Sequence, residues 1–173
     1  MTRRTLVHLL LIVSVISLIF GCPSLSVAET SKGWPVFKGA WFTIKYPPDF
    51  IVKPGQKSPS SVQGYDSAFF ISPDHKVEFY IFSPQWQGTP DFDLDSANEV
   101  IISKNVTTKD NLTVTQVTVK EKHGQYLRSW LDREDKLSNT RSVFGIKYQD
   151  KLSYNKYRPA YLIFKQSLIQ LAD

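Results

Sequence analysis

Leu112-Thr113-Val114-Thr115-Gln116-Val117-Thr118-Val119-Lys120, followed across His123-Gly124 by Gln125-Tyr126-Leu127-Arg128-Ser129-Trp130-Leu131-Asp132-Arg133, is the stretch that decides the fold class. Side chains that alternate with a period of two mark strands lying half-buried on one face of a sheet. Gly124 supplies the positive φ that a tight connection requires, so the two strands form an antiparallel hairpin. His123 then reads as a turn residue. A third strand is expected over Thr140 to Tyr148.

Working back toward the N-terminus, Ser67 to Ile71 and Val77 to Phe82 flank Ser72-Pro73-Asp74-His75, a second hairpin. Val77, Phe79 and Ile81 take one face; Glu78, Tyr80 and Phe82 take the other. His75 is a solvated turn residue. Phe42, Ile44 and Tyr46 alternate with Trp41, Thr43 and Lys45 until Pro47-Pro48 removes the ladder donors. Phe50 to Lys53 is a short extended piece. Lys53 to Asp66, with Pro54, Gly55, Pro59 and Gly64, reads as an exposed loop, and so does Ser83 to Leu94. Ser96-Ala97-Asn98-Glu99 has capping-box spacing and suggests a short helix, against which the β-branched Val100-Ile101-Ile102 weighs. At the C-terminus, Pro159 to Leu171 predicts a helix with Pro at its first position and Tyr161, Phe164, Leu168 and Leu171 on one stripe. Antiparallel strands closed by one amphipathic helix give an α+β class, a sheet covered by a C-terminal helix.

The sequence Trp41-Phe42-Thr43-Ile44-Lys45-Tyr46-Pro47-Pro48-Asp49-Phe50, the run of hairpins and the closing helix resemble the Mog1/PsbP-like group. The resemblance implies a curved antiparallel sheet with a terminal helix and a non-catalytic role in binding or assembly. Its implied partner is another protein. It transfers no functional residue, because only the Tyr46-Pro47 segment is similar in residues.

At the other end of the chain, Arg3 and Arg4 precede an apolar run from Leu6 to Phe20, the layout of an export signal. As a helix that run would be roughly 22 Å long against a hydrocarbon core of roughly 30 Å, which disfavours a stable span. Two processing routes compete. Ser26-Val27-Ala28 before Glu29 is a small-x-small cleavage site, giving a signal of residues 1–28; Ile19-Phe20-Gly21-Cys22 resembles a bacterial lipobox, giving a signal of residues 1–21 and a lipid on Cys22. Residues 29–33 would then be a tether and residues 34–173 one domain, a size that suits a chain of 173 residues. The expected location is exported and periplasmic, or anchored on the far side of the membrane through lipidated Cys22. Cys22 is the single cysteine, so the exported domain has no thiol pair and must be held by its core.

Several function classes lose support. Net charge is +5, and without Arg3 and Arg4 there are 19 basic against 16 acidic residues, dispersed along the chain, so nucleic-acid binding is not expected. No Gly-x-Ser-x-Gly elbow, phosphate loop or zinc-ligand spacing is present, and neither enzyme activity nor a cofactor is expected. Asp91-x-Asp93-x-Asp95 has the alternate carboxylate spacing of calcium loops, but Ser96 stands where an EF-hand needs Gly and Ile102 where it needs the closing Glu. A solvated acidic loop explains it as well. Asp132, Glu134 and Asp135 at a strand end leave open a small hydrolase or carbohydrate-active enzyme using paired carboxylates. A small-ligand carrier is a third alternative. Of Trp34, Trp41, Trp86 and Trp130, core packing is the expected role except for Trp86, whose loop position makes it a binding candidate. Oligomeric state is left open.

Overall fold

The computed structural model describes residues 31–171 except 87, 92 and 93, so the expected export signal, Cys22 and Asp93 lie outside the described residues. Ten strands and one helix follow in the order β1 (Val36–Lys38), β2 (Phe42–Lys45), β3 (Ile51–Pro54), β4 (Ser67–Ile71), β5 (Val77–Phe82), β6 (Glu99–Lys109), β7 (Leu112–Glu121), β8 (Leu127–Asp135), β9 (Thr140–Tyr148), α1 (Lys151–Gln166) and β10 (Ile169–Gln170). The fold is the expected α+β arrangement. A seven-stranded antiparallel sheet has the order β3-β4-β5-β9-β8-β7-β6, and a three-stranded sheet has the order β1-β2-β10.

The register assigns each side chain a face. Phe79 pairs with Phe70 and Ile146, and Ile81 with Ala68 and Phe144. This face meets Tyr157, Tyr161 and Phe164 of α1 and Phe42 and Ile44 of β2, forming the main core. Its aromatic rings interlock: Phe164 lies edge-on to Phe70 at 5.1 Å and tilted against Phe79 at 5.4 Å. Burial of this much aromatic surface supplies the stability that a disulfide would supply elsewhere. On the opposite face Tyr80, Phe82 and Val143 form a second, smaller core with Phe69 and Trp130.

Four expectations are corrected. The C-terminal helix does not begin at Pro159. It begins at Lys151, capped by Asp150, whose extended backbone (φ −150°, ψ 168°) lets its carboxylate accept from the Ser153 amide at 2.7 Å. Pro159 sits inside the helix on its exposed side, where water can reach the carbonyl left without an amide partner. The helix also stops before Leu171: Ser167 accepts the Lys45 amide at 2.9 Å, and Ile169–Gln170 become a strand on β2.

No helix starts at Ser96. Asp95 accepts from the Ala97 and Asn98 amides, and its own amide donates to Glu99 at 3.0 Å, so the capping chemistry is present but closes only a turn. Val100-Ile101-Ile102 then goes into β6, an eleven-residue strand that the capping pattern had concealed. Nor is the segment from Lys53 to Asp66 simply exposed. Ser58 and Asp66 are buried, Lys57 bridges to Tyr65, and the Trp41 indole donates to Ser58 and Ser60. In its described residues the Ser83 to Leu94 segment is loop, as expected, and it is fastened where Asp91 accepts from Tyr80 and Ser67, and where Arg141 donates to the Gly88 carbonyl.

Candidate functional site

Seven strands side by side span about 30 Å, whereas one helix with its side chains is about 10 Å wide. One helix cannot cover such a sheet. α1 packs on β5, β9 and β2, so beside it β8, β7 and β6 are left uncovered on the helix side. The step between the helix flank and this open half-sheet is a groove.

The core stripe of α1 is Ser153, Tyr157, Tyr161 and Phe164. One residue further along the helix, Tyr154, Arg158, Leu162 and Lys165 repeat the same spacing and form the groove wall. Gln116, Ser129 and Leu131 of the sheet form its floor, in a volume of about 340 Å³. A continuation of about 230 Å³ shares Leu131, Leu162 and Lys165 and adds Arg133. Tyr154 is fixed against Tyr148 at 4.8 Å, which holds one end of the groove in place.

Charge distinguishes this groove. Among the described residues its lining includes Arg133, Arg158 and Lys165 and no carboxylate. Among the described residues, none of the three cations forms an ion pair. Burial, reinforced by the positive charge of Arg158, pulls the Lys165 ammonium below the usual lysine range. Lys165 lies over the Tyr161 ring at 5.0 Å, an attraction weaker than a carboxylate would provide. An anionic group entering the groove would therefore meet charge that the protein itself leaves uncompensated.

On the other face, the register lines up Glu78, Lys147 and Arg128 on β5, β9 and β8, with Glu99 at the far end. Arg128 holds Glu99 through two contacts of 2.6 Å, and Tyr126 and the Asp95 amide complete the carboxylate's partners at 3.0 Å. Burial alone would raise the Glu99 pKa, but the guanidinium and the other donors hold it below the usual glutamate range. Burial keeps Glu78 above its usual range, and Lys147 opposes that shift only in part. Lys147 is also shared with the Tyr126 ring, 4.1 Å away. A shallow cleft of about 270 Å³ runs along this row, and in it Arg128 is paired with Glu99.

Of the candidate residues singled out in the sequence, Asp91 and Asp95 line this cleft. Asp91 accepts from Tyr80 at 2.5 Å and from Ser67 at 3.0 Å, and Asp95 caps the turn before β6. Among the described residues no group of three metal-ligating side chains converges. Two of the three strand-end carboxylates are also committed: Asp132 is held by Arg141 at 2.7 and 3.0 Å, and Asp135 accepts the Leu137 amide. His75 has a left-handed backbone (φ 55°), and Gly124 beside His123 has φ 78°, consistent with turn roles for both histidines. Trp86 is 52% exposed in its loop and borders neither groove nor cleft. Sequence reading missed the groove, although its signal was present: Arg158, Leu162 and Lys165 recur at helical spacing beside the core stripe.

Compared with protein-family models the chain matches none, and a comparison with curated proteins finds no match. Among solved structures, cyanobacterial PsbP (CyanoP) from Synechocystis sp. PCC 6803 is similar over 88% of this chain and 98% of its own, at 8% identity and a TM-score of 0.48. A mutant of protein Mog1 is similar over 80% of this chain and 96% of its own, at 11% identity and a TM-score of 0.39. The Ran-binding protein Mog1p of Saccharomyces cerevisiae covers 80% and 97%, at 9% identity and a TM-score of 0.38. Each likeness is one of chain layout at 8–11% identity, and it carries no residue or role over to this chain.

Proposed function

We propose that this protein is an exported, non-catalytic binding module whose groove beside α1 receives an acidic segment of a partner protein. The observation that carries the reading is the set of cations Arg133, Arg158 and Lys165, without an ion pair or a neighbouring groove carboxylate among the described residues. A partly buried lysine without a counter-charge is unfavourable for the isolated fold. Such a group is retained where binding uses it. Leu131 and Leu162 add an apolar strip between the charges, and Tyr148, Tyr154 and Tyr161 add rigid aromatic area.

Arg158 and Lys165 are separated by about 10 Å along the helix. A helical peptide with glutamates seven residues apart matches that distance and is a suitable probe. Fluorescence anisotropy should show binding that weakens as salt rises, and Arg158→Glu with Lys165→Glu should weaken it by at least about tenfold. Unchanged affinity in the double variant would refute the assignment. Equal binding to anionic lipid vesicles, lost in the same variant, would reassign the groove to a membrane surface.

The export part of the proposal rests on Met1 to Ala28. Intact mass of the protein from native membranes should show a mature N-terminus at Cys22 with added acyl mass, or at Glu29 without it. An N-terminus at Met1 in both membrane and soluble fractions would remove export from the account.

A further inference from the structure

The seven-stranded sheet has two edges, and they are built differently. β3, at one edge, has four residues and ends in Pro54, features that blunt an edge against further pairing. β6, at the other, has eleven residues, among the described residues is paired only with β7, and is exposed from Val100 to Lys109. Val100, Ile101, Ile102 and Val106 are 44–53% exposed. A bulge at Ile101/Ser103 interrupts the first part, leaving Ser103 to Lys109 as a regular stretch of about 23 Å. That length is enough for a strand of ordinary size to pair along it.

We propose that β6 is a strand-addition site for an extended, acidic segment of a partner protein, with acidic residues five positions apart opposite Lys104 and Lys109. Backbone pairing would supply the affinity and the side chains the choice of partner. Glu99, the one acid of β6, is spent on Arg128, so the free charges of this edge are Lys104 and Lys109. Five residues apart on a strand, the two lysines point to opposite faces, so a complementary segment carries one acid on each face. β-branched residues between them would pair with Val106, Thr107 and Thr108.

Charge weighs against a second copy of this chain only when the two edges pair over their full length. Lys104 is the midpoint of β6, so two copies pairing antiparallel over their full length would set Lys104 against Lys104. Over the regular stretch alone a second copy would set Val106 against Val106, so self-pairing is one of the outcomes that the test below distinguishes.

The test is amide hydrogen exchange on the full-length chain in mild detergent, with a nine-residue probe peptide of valine and threonine carrying two glutamates five positions apart. Exchange at β6 amides should slow at least tenfold with the probe. The effect should disappear with lysines in place of the glutamates and in Lys104→Glu with Lys109→Glu, which leaves the backbone unaltered. Arg158→Glu with Lys165→Glu should leave it intact, which separates this site from the groove. No protection of β6, equal protection by the lysine peptide, or protection that grows with protein concentration alone would overturn the proposal.

Discussion

Phe164→Ala should destabilise the protein by about 3–5 kcal/mol, the typical loss for truncating a buried phenylalanine whose surroundings cannot collapse into the space. Phe164 is fully buried, and its ring meets Phe70, Phe79, Phe144 and Tyr161, which belong to three different strands and the helix itself. Because those rings are held by sheet register, they cannot follow the missing side chain inward. Domains of this size have total stabilities of about 5–15 kcal/mol, so a large share is at stake. Thermal unfolding followed by circular dichroism should show a fall of about 10 °C or more. A fall of only a degree or two would mean that α1 does not close the core as described.

The second large effect concerns the buried ion pair. The side chains of Glu99 and Arg128 are 1% and 9% exposed, so removing either partner strands a charge out of water. Arg128→Met should therefore destabilise by about 3–5 kcal/mol, whereas replacing both, Glu99→Leu with Arg128→Met, should recover most of the loss. The pair also fixes a pH dependence. The folded-state pKa of Glu99 is depressed, so its contribution is present above the ordinary carboxylate range and is lost as pH falls through the depressed value. Urea unfolding at several pH values should show the wild type and Glu99→Gln converging in acid, below about pH 4. A difference that stays constant with pH would show that the carboxylate is not held by Arg128 in solution.

How much of this was legible in the sequence depends on the range of the interactions involved. β4, β5, β7, β8 and β9 lie where alternation and turn residues put them, because both signals are local. The β6 strand was obscured by a genuine local signal: Asp95 and Glu99 do make capping contacts, but sheet pairing with β7 prevails over helix propagation. The helix start was misplaced because Pro159 is a strong first-turn residue, and Asp150, a good cap in its own right, stood nine residues before it. The termination at Ser167 depends on Lys45, far away in the chain, and no local reading contains that contact.

The site follows the same division. That the aromatics would mostly enter the core could be expected from their strand positions, and Trp86 remained exposed as its loop setting suggested. Asp91 looked like a cation ligand because alternate carboxylates are conspicuous in sequence, whereas its hydroxyl partners Ser67 and Tyr80 come from other strands. The basic groove requires knowing that α1 covers only one half of the sheet. Only then do Arg133 on β8 and Arg158 and Lys165 on α1 become neighbours.

The most direct test of the binding-module account is amide chemical-shift mapping of the full-length protein titrated with the glutamate-bearing helical peptide. The groove predicts that Ser129, Leu131, Arg158, Leu162 and Lys165 shift together and saturate, while Glu78, Arg128 and Lys147 on the opposite face do not move. Shifts centred on that opposite row, or none at peptide concentrations well into the millimolar range, would contradict it.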